Sequence, residues 1–346
     1  MKKIIIIVLG VLVLLIGGTI GFYFYSLSPV KSNYEKVEFT ISSGTGTKEI
    51  IDELSREGLI KNKLALYIYA YLNNEKSLKA GKYELSPSMS AKDIIHKLNK
   101  GEVIDESIKT TFVEGLSIKA YAGIIANLTN KTADDVLKEL SDEDYLKELI
   151  SKYWFLTDDI LKEGIRYPLE GYLFPDTYTF TKDMSVKDIV KIMLDNTNNK
   201  LTPLKSTIEA SKYSIHEILS LASVIETESG NIADRKKIAG VFYNRLDSGD
   251  SLGADVTVMY AYGNLKDDLY NCTSLYNTYA PCNMGKIQIG PIASSGLESI
   301  NATLNPEKHD YYYYVSDKYG NIYYTRNLNE HNAKISELNA AGINAY

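Results

Sequence analysis

Residues Ile4 to Tyr25 run for twenty-two positions without a charged side chain. A helix of about 20 apolar residues matches the hydrocarbon thickness of a bilayer. The run therefore predicts a transmembrane helix, which forces the rest of the chain to fold as a separate part on one side of the membrane. Lys2 and Lys3 precede it, so the bias of basic residues toward the cytoplasm sets the N-terminus inside. Phe22, Tyr23 and Tyr25 suit the outer interface. The expected localisation is the cell membrane, single-pass, with the remainder extracytoplasmic. A cleaved signal peptide is the competing reading, but its apolar region is usually shorter and ends in a small-residue cleavage site, which is not evident here.

The 346 residues exceed a typical single domain, and 45% hydrophobic content is enough for a sizeable core. A net charge of -6 argues against nucleic acid as a partner, since phosphate binding calls for a basic face. The only histidines, His96, His216, His309 and His331, are scattered, and there is no HExxH or CxxC pair, so neither a metal nor another cofactor is expected. A G-x-S-x-G nucleophile elbow is also missing.

After a short tether at 26–35, one pattern recurs through the first half: a strand-like run, a turn, a small residue, any residue, lysine and an apolar helix start. The copies begin at Gly46, Ser90, Ser117 and Ser185. Ser90 with Asp93, and Ser185 with Asp188, make capping-box-like pairs, and Gly46 with Glu49 is a weaker version. Short strand, capped helix, short strand is a small α/β module, and the first two copies enclose one such unit at 36–106. An intermediate α/β region at 107–200 carries an acidic helical insertion from Ala133 to Ile150. Asn196 to Lys200 reads as a polar break, with the last unit at 201–346. Near its end, tyrosine-rich runs flank a turn at Asp317 to Asn321, a β-hairpin signal. The whole reads as α+β.

Ile218 to Gly230, ILSLASVIETESG, is where chemistry is expected. Ile218, Leu221, Ala222 and Ile225 share one helix face, and Glu226 follows at the edge of that face. A carboxyl pressed against apolar surface loses hydration of its charged form and can hold a proton near neutrality, as a general acid must. The bland reading is that Glu226 and Glu228 form a solvated last turn before Ser229-Gly230.

Sequence blocks weigh against the bland reading. LASVIETES, AGVFYNRL from Ala239, YNTY from Tyr276, GPI from Gly290, LEGYLFPDTY from Leu169, ATLNP from Ala302 and NLNEHN from Asn327 stand in order and at suitable spacing. Together they resemble the YceG-like family, the MltG-type endolytic murein transglycosylases, membrane-anchored enzymes that cut peptidoglycan glycan strands. The resemblance implies that 36–106 is a LysM-like domain and 201–346 the catalytic domain. It implies cleavage of the bond between N-acetylmuramic acid and N-acetylglucosamine to give 1,6-anhydro ends, with Glu226 as acid and then base. It also implies peptidoglycan strands as substrate and penicillin-binding proteins or other cell-wall synthesis proteins as partners.

Ordinary glycosidases use two carboxylates. Glu228 is poorly placed as the second, since two residues along a helix is about 200° of rotation. Lytic transglycosylases need no second one, because the C6 hydroxyl of the sugar itself attacks C1. Asn244, Asp255, Thr257, Tyr260, Asn277 and Thr278 are candidates for orienting sugar groups, with Glu170 and Asp176 in the LEGYLFPDTY block; each is open to a structural reading, and Glu170 and Asp176 to a domain junction. Asp255, Thr257 and Tyr260 resemble the family's Leu-x-x-Asp-x-Thr-x-x-Tyr run, although Val256 and Gly253 depart from it. Cys272 and Cys282 flank YNTY, and in an exported protein a disulfide between them would limit loop freedom. The PCNMGKIQIGPI segment is longer than the family's usual turn and lacks its Pro-Pro, so a remodelled loop is the rival reading. From another class, the chain would be a non-catalytic, membrane-anchored peptidoglycan-binding scaffold with Glu226 vestigial.

Overall fold

A computed structural model describes residues 2–182, 184–265 and 269–343. It is mixed α+β and divides into two compact units, Met1–Glu106 and Ser107–Tyr346.

The first unit opens with α1 (Lys2–Ser26), followed by β1 (Val37–Ile41), α2 (Thr47–Arg56), α3 (Lys63–Leu72), β2 (Gly81–Leu85) and α4 (Ala91–Lys100). Among the described residues α1 is the one helix long and apolar enough to cross a membrane, with Ile4–Ser26 at a mean hydropathy of 2.9; a signal sequence would pass the same test. β1 and β2 pair antiparallel from Val37 opposite Leu85 to Ile41 opposite Gly81. Alternation along the strands buries Phe39, Ile41, Tyr83 and Leu85 on one face, where α2, α3 and α4 add Ile50, Leu54, Leu66, Ile94 and Leu98. Ser90 caps α4 by accepting the Asp93 N–H at 3.2 Å, whereas Gly46 leaves α2 without a side-chain cap.

The segment at 26–35, expected to be a tether, is instead docked on this unit. Leu27 is 1% exposed and belongs to its core. The Leu27 carbonyl accepts from the Ala91 N–H, and the Pro87 carbonyl accepts from the Val30 and Lys31 N–H groups at 2.9–3.0 Å. An apolar side chain and several backbone groups find partners there, so the chain has no reason to stay loose.

The second unit contains β3 (Ser107–Thr111), α5 (Ile118–Thr129), α6 (Ala133–Leu140), α7 (Glu143–Lys152), β4 (Thr177–Thr181), α8 (Val186–Leu201), α9 (Lys205–Glu209), α10 (Ile215–Glu228), α11 (Arg235–Ser248), α12 (Asp255–Tyr262), α13 (Leu297–Leu304), β5 (Tyr313–Ser316), β6 (Ile322–Thr325) and α14 (Leu328–Ala340). β3 pairs antiparallel with β4, and β5 with β6. The β5–β6 turn is tied by Asp317, whose Oδ1 accepts the N–H groups of Tyr319 and Asn321 at 2.9 Å.

Two expectations change here. Asn196 to Lys200 is no break but the last turns of α8, where the buried Thr197 hydroxyl donates to the Tyr172 and Met193 carbonyls. The separation expected near residue 200 is also absent, because one core runs from Phe112 through α8 and on to Ile215, Ile218 and Ala222 of α10.

α10 is the axis of this unit. Every residue from Ile218 to Glu226 is buried, so the helix is not amphipathic in the way the spacing predicted. Ile218, Leu219 and Ala222 join the core shared with α5 and α8, while Leu221, Val224 and Ile225 join a second core built from α11 and α12. A helix buried all round is held by tertiary packing on each side. Ser214 starts it with a full capping box, accepting the Glu217 N–H while the Glu217 carboxylate accepts the Ser214 N–H.

Candidate active site

Glu226 lies in the last turn of α10 and is 9% exposed, so it is not a solvated surface carboxylate. Its surroundings are not the apolar seat the sequence suggested. Oε1 accepts from Arg235 Nη2 at 2.7 Å, and Oε2 accepts from the Gly296 N–H at 3.0 Å. Arg235 is itself buried at the start of α11, nine residues further on, where the short turn after Gly230 folds the chain back. Its Nε and Nη1 have no protein partner, so the guanidinium is committed to Glu226 alone among the described residues.

Two loops close over this carboxyl. The Gly115 N–H donates to the Ser294 carbonyl at 2.8 Å, and the Ser294 N–H donates back to the Leu116 carbonyl at 2.9 Å. That ladder brings Glu114–Gly115, just after β3, against Ser295–Gly296, just before α13. A methyl group on Gly296 would lie 2.1 Å from Glu114 Oε1, and one on Gly115 would lie 3.9 Å from Glu226 Cγ. Glu114 and Glu226 therefore both border Gly296. Burial, and then the negative charge of Glu226, push the Glu114 carboxyl above its ordinary range, against the lowering influence of Arg235.

Glu228 faces elsewhere, as two residues of helical rotation require. Its Oε2 accepts from Tyr314 Oη at 2.9 Å. Burial pushes its carboxyl up, the Tyr314 hydrogen bond opposes this, and the charge of Asp255 adds to the rise. Asp255, exposed at the first turn of α12, accepts from the Tyr279 hydroxyl.

The remaining candidates are placed around this centre with partners of their own. Thr257 and Thr278 are fully buried, their hydroxyls 2.9 Å apart, and Thr278 Oγ1 accepts the Ala254 N–H; they stitch α12 to the 277–279 turn. Asn277 Nδ2 donates to the Leu269 and Asn271 carbonyls, and Cys272 is disulfide-bonded to Cys282, so the YNTY loop is tied twice. Asn244 Nδ2 donates to the His309 and Tyr311 carbonyls. Tyr260 Oη donates to Glu170 Oε2 at 3.1 Å, while Glu170 Oε1 accepts the Ile118 N–H at 2.7 Å. At 1% exposure Glu170 presents no open face, and burial pushes its carboxyl up to about 8. Asp176, held by the Thr177 N–H, Asn196 and Lys200, belongs to the β4–α8 corner.

The structure thus brings Asp255, Glu228 and Tyr279 together on one side of the end of α10, and Glu114, Glu226, Arg235 and Gly296 on the other. Sequence reasoning missed Arg235 and Glu114. Nothing in periodicity marks them; an acid-glycine pair directly after a strand was the available hint for Glu114.

His216 links the LEGYLFPDTY and GPI blocks in space. Its Nε2 lies 2.7 Å from the Ile289 carbonyl, which can only accept, so Nε2 carries the proton and Nδ1 accepts from Tyr172 Oη at 2.7 Å. The GPI loop then runs along α10, with the Ile292 N–H donating to Ser223 Oγ and Gln288 Nε2 to the Ser220 carbonyl. Among the described residues no group of three or more His, Cys, Asp or Glu is arranged to hold a metal ion.

Comparison with known proteins bears on this geometry. The model of the YceG-like family matches residues 39–337. The endolytic murein transglycosylase of Bacillus subtilis (strain 168) is 38% identical over 326 residues, covering 92% of this chain and 89% of that protein. A protein of the same name from Streptococcus pneumoniae serotype 2 (strain D39) is 33% identical over 345 residues, 93% of this chain and 62% of its own length. A crystal structure of a yceG-like protein from Listeria monocytogenes superposes with a TM-score of 0.62 at 35% identity, covering 87% of this chain and 100% of that chain.

Proposed function

The chain belongs to the YceG-like family, and from that premise we propose that it is an endolytic murein transglycosylase, a lyase that cuts peptidoglycan glycan strands. The bond broken joins C1 of N-acetylmuramic acid to the oxygen of the next N-acetylglucosamine. Glu226, protonated, donates to that oxygen as the C1–O bond breaks. The C6 hydroxyl of the same sugar then closes on C1, and Glu226 takes its proton, leaving a 1,6-anhydro end without consuming water. One group acting as acid and then base fits general acid–base catalysis. The observation that carries this role is the placing of Glu226: a buried carboxyl at the end of a rigid helix, both oxygens held by donors, in the seam where two loops meet.

Further parts of the reading rest on their own supports. The length and apolarity of α1 support a single-pass anchor, and Lys2 and Lys3 ahead of the apolar run support a cytoplasmic N-terminus with both folded units outside. The β1–α2–α3–β2 order, two helices between paired strands, supports a LysM-like unit that engages glycan. Asp255, Tyr279 and Glu228, next to the seam along the helix end, are proposed to orient sugar hydroxyl and acetamido groups. Penicillin-binding proteins or other wall-synthesis proteins are proposed partners, since nascent strands are the substrate.

The test is incubation of purified sacculi with the full-length protein and its Glu226→Gln variant, followed by mass spectrometry of the released glycan. Anhydro-ended fragments are expected from the parent, with a loss of about 10²–10⁴-fold or more in the variant. Reducing ends in place of anhydro ends would replace the transglycosylase by a hydrolase. Undiminished release by the variant would remove Glu226 from the chemistry, and glycan binding without any cleavage by the parent would favour a scaffold.

A further inference from the structure

A carboxyl that starts the reaction as an acid must carry a proton when substrate arrives. At Glu226 a guanidinium at 2.7 Å and a backbone N–H at 3.0 Å occupy the two carboxyl oxygens. The proton the reaction needs has to be kept within reach in the same seam.

We propose that Glu114 is a positioning residue for the cleavage: it pairs with Glu226 across Gly296 so that the two carboxyls hold one proton between them, available to Glu226 when substrate binds. This rests on the reading of Glu226 as the acid. The geometry is particular. Glu114 lies so close over Gly296 that a Cβ there would sit 2.1 Å from its Oε1 and 2.7 Å from its Oε2, while the N–H of the same glycine is bonded to Glu226 Oε2. The glycine is what lets two acidic groups approach one another. The loop carrying Glu114 is pinned by the Gly115–Ser294 and Ser294–Leu116 hydrogen bonds, so the approach is built into the backbone.

The other groups that act on Glu114 are Arg235 from α11, Glu298 from α13 and the phenol of Tyr121 from α5. Among the described residues Arg235 is the cation that acts on Glu114, set against the carboxyls of Glu226 and Glu298. Like charges held this close cannot all ionise without cost, and a proton shared between two of them relieves it. The rise in the Glu114 carboxyl described above has the direction this requires. In the reaction the shared proton moves to the glycosidic oxygen through Glu226, and the proton from the C6 hydroxyl restores the pair, so protons balance over one turnover.

The experiment is the pH dependence of kcat and KM for glycan cleavage by the full-length protein in detergent, for the parent, Glu114→Gln, Glu114→Asp and Glu226→Gln. Removing a neighbouring negative charge lowers a carboxyl by about one pH unit or more, so Glu114→Gln should move the alkaline limb of kcat down by at least that much. Activity should then be near the parent's at pH 5 and about tenfold or more lower at pH 7.5, with KM unchanged and Glu114→Asp in between. An unchanged profile, an equal loss at every pH, or a rise in KM alone would overturn the proposal. An inactive Glu226→Gln beside an unchanged Glu114→Gln profile would sink only the pairing, whereas an active Glu226→Gln would sink the underlying reading as well.

Discussion

Glu170 shows how burial changes what a carboxylate means. It was a substrate candidate from sequence, yet its oxygens are spent on the Ile118 N–H and Tyr260 Oη inside the second unit. Unfolded, such a group ionises above about pH 4.5, and folded it does so only near 8. The native state therefore holds a proton that the unfolded chain releases between these values. The contribution of Glu170 to stability is complete below about 4.5, is lost as pH rises toward 8, and levels off above that. The swing is on the order of 4–5 kcal/mol. Glu170→Gln keeps an acceptor for Ile118 and removes the titration, so its thermal midpoint should gain on the parent's as pH rises from 5 to 8; parallel curves would refute this. The same contrast explains what was legible at this scale. Glu226 could be found because it ends the apolar ILSLASVI run inside a block that resembles the family's motif, whereas Arg235 and Glu114 reach it through a chain reversal and a loop ladder that no local pattern encodes.

α11 illustrates packing between elements. Gly240 lies mid-helix, where alanine would ordinarily stabilise by about 1 kcal/mol. Here a Cβ would sit 2.3 Å from the Glu307 carbonyl oxygen and 2.5 Å from His309 Nε2. The segment crossing the helix is backbone fixed by the bond between the Glu307 N–H and the Lys236 carbonyl, so it cannot simply yield. The clash should win, and Gly240→Ala is expected to destabilise by about 1–3 kcal/mol, read as a lowered denaturant midpoint at constant slope. A raised midpoint would show that the crossing segment moves freely. Capping and turn chemistry were readable at this level: Ser90 and Ser185 cap their helices, and the tyrosine-flanked Asp317–Asn321 turn closes β5 on β6. The polar end of α8 was not, because Thr197 satisfies itself on the Tyr172 and Met193 carbonyls and so tolerates the core. Nor was α10 as a helix buried on every side, since amphipathic spacing describes one face and the second core closes on it from residues 238–292.

At the scale of the whole chain, the sequence pointed to an apolar helix ahead of folded units of mixed α+β type, and the first compact unit runs from Met1 to Glu106. The finer division near 200 dissolves, because α8 and α10 contribute to one core. The docked segment after α1 sets a prediction of its own. Beginning the chain at Ser26 retains Leu27 in the first core, and beginning it at Val30 deletes that side chain and the carbonyl that Ala91 donates to. The shorter version should lose about 2–5 kcal/mol from the first unit, seen as faster amide exchange in β1 and β2. Equal protection in both would mean that the docking carries no weight. On the proposed reading of α1 as a membrane anchor, the consequence reaches beyond stability. Surface proteases that shed ectodomains need a floppy stalk to grip, and here the stalk is tucked into the fold. A chain anchored in this way would stay where it was inserted until the fold itself opens.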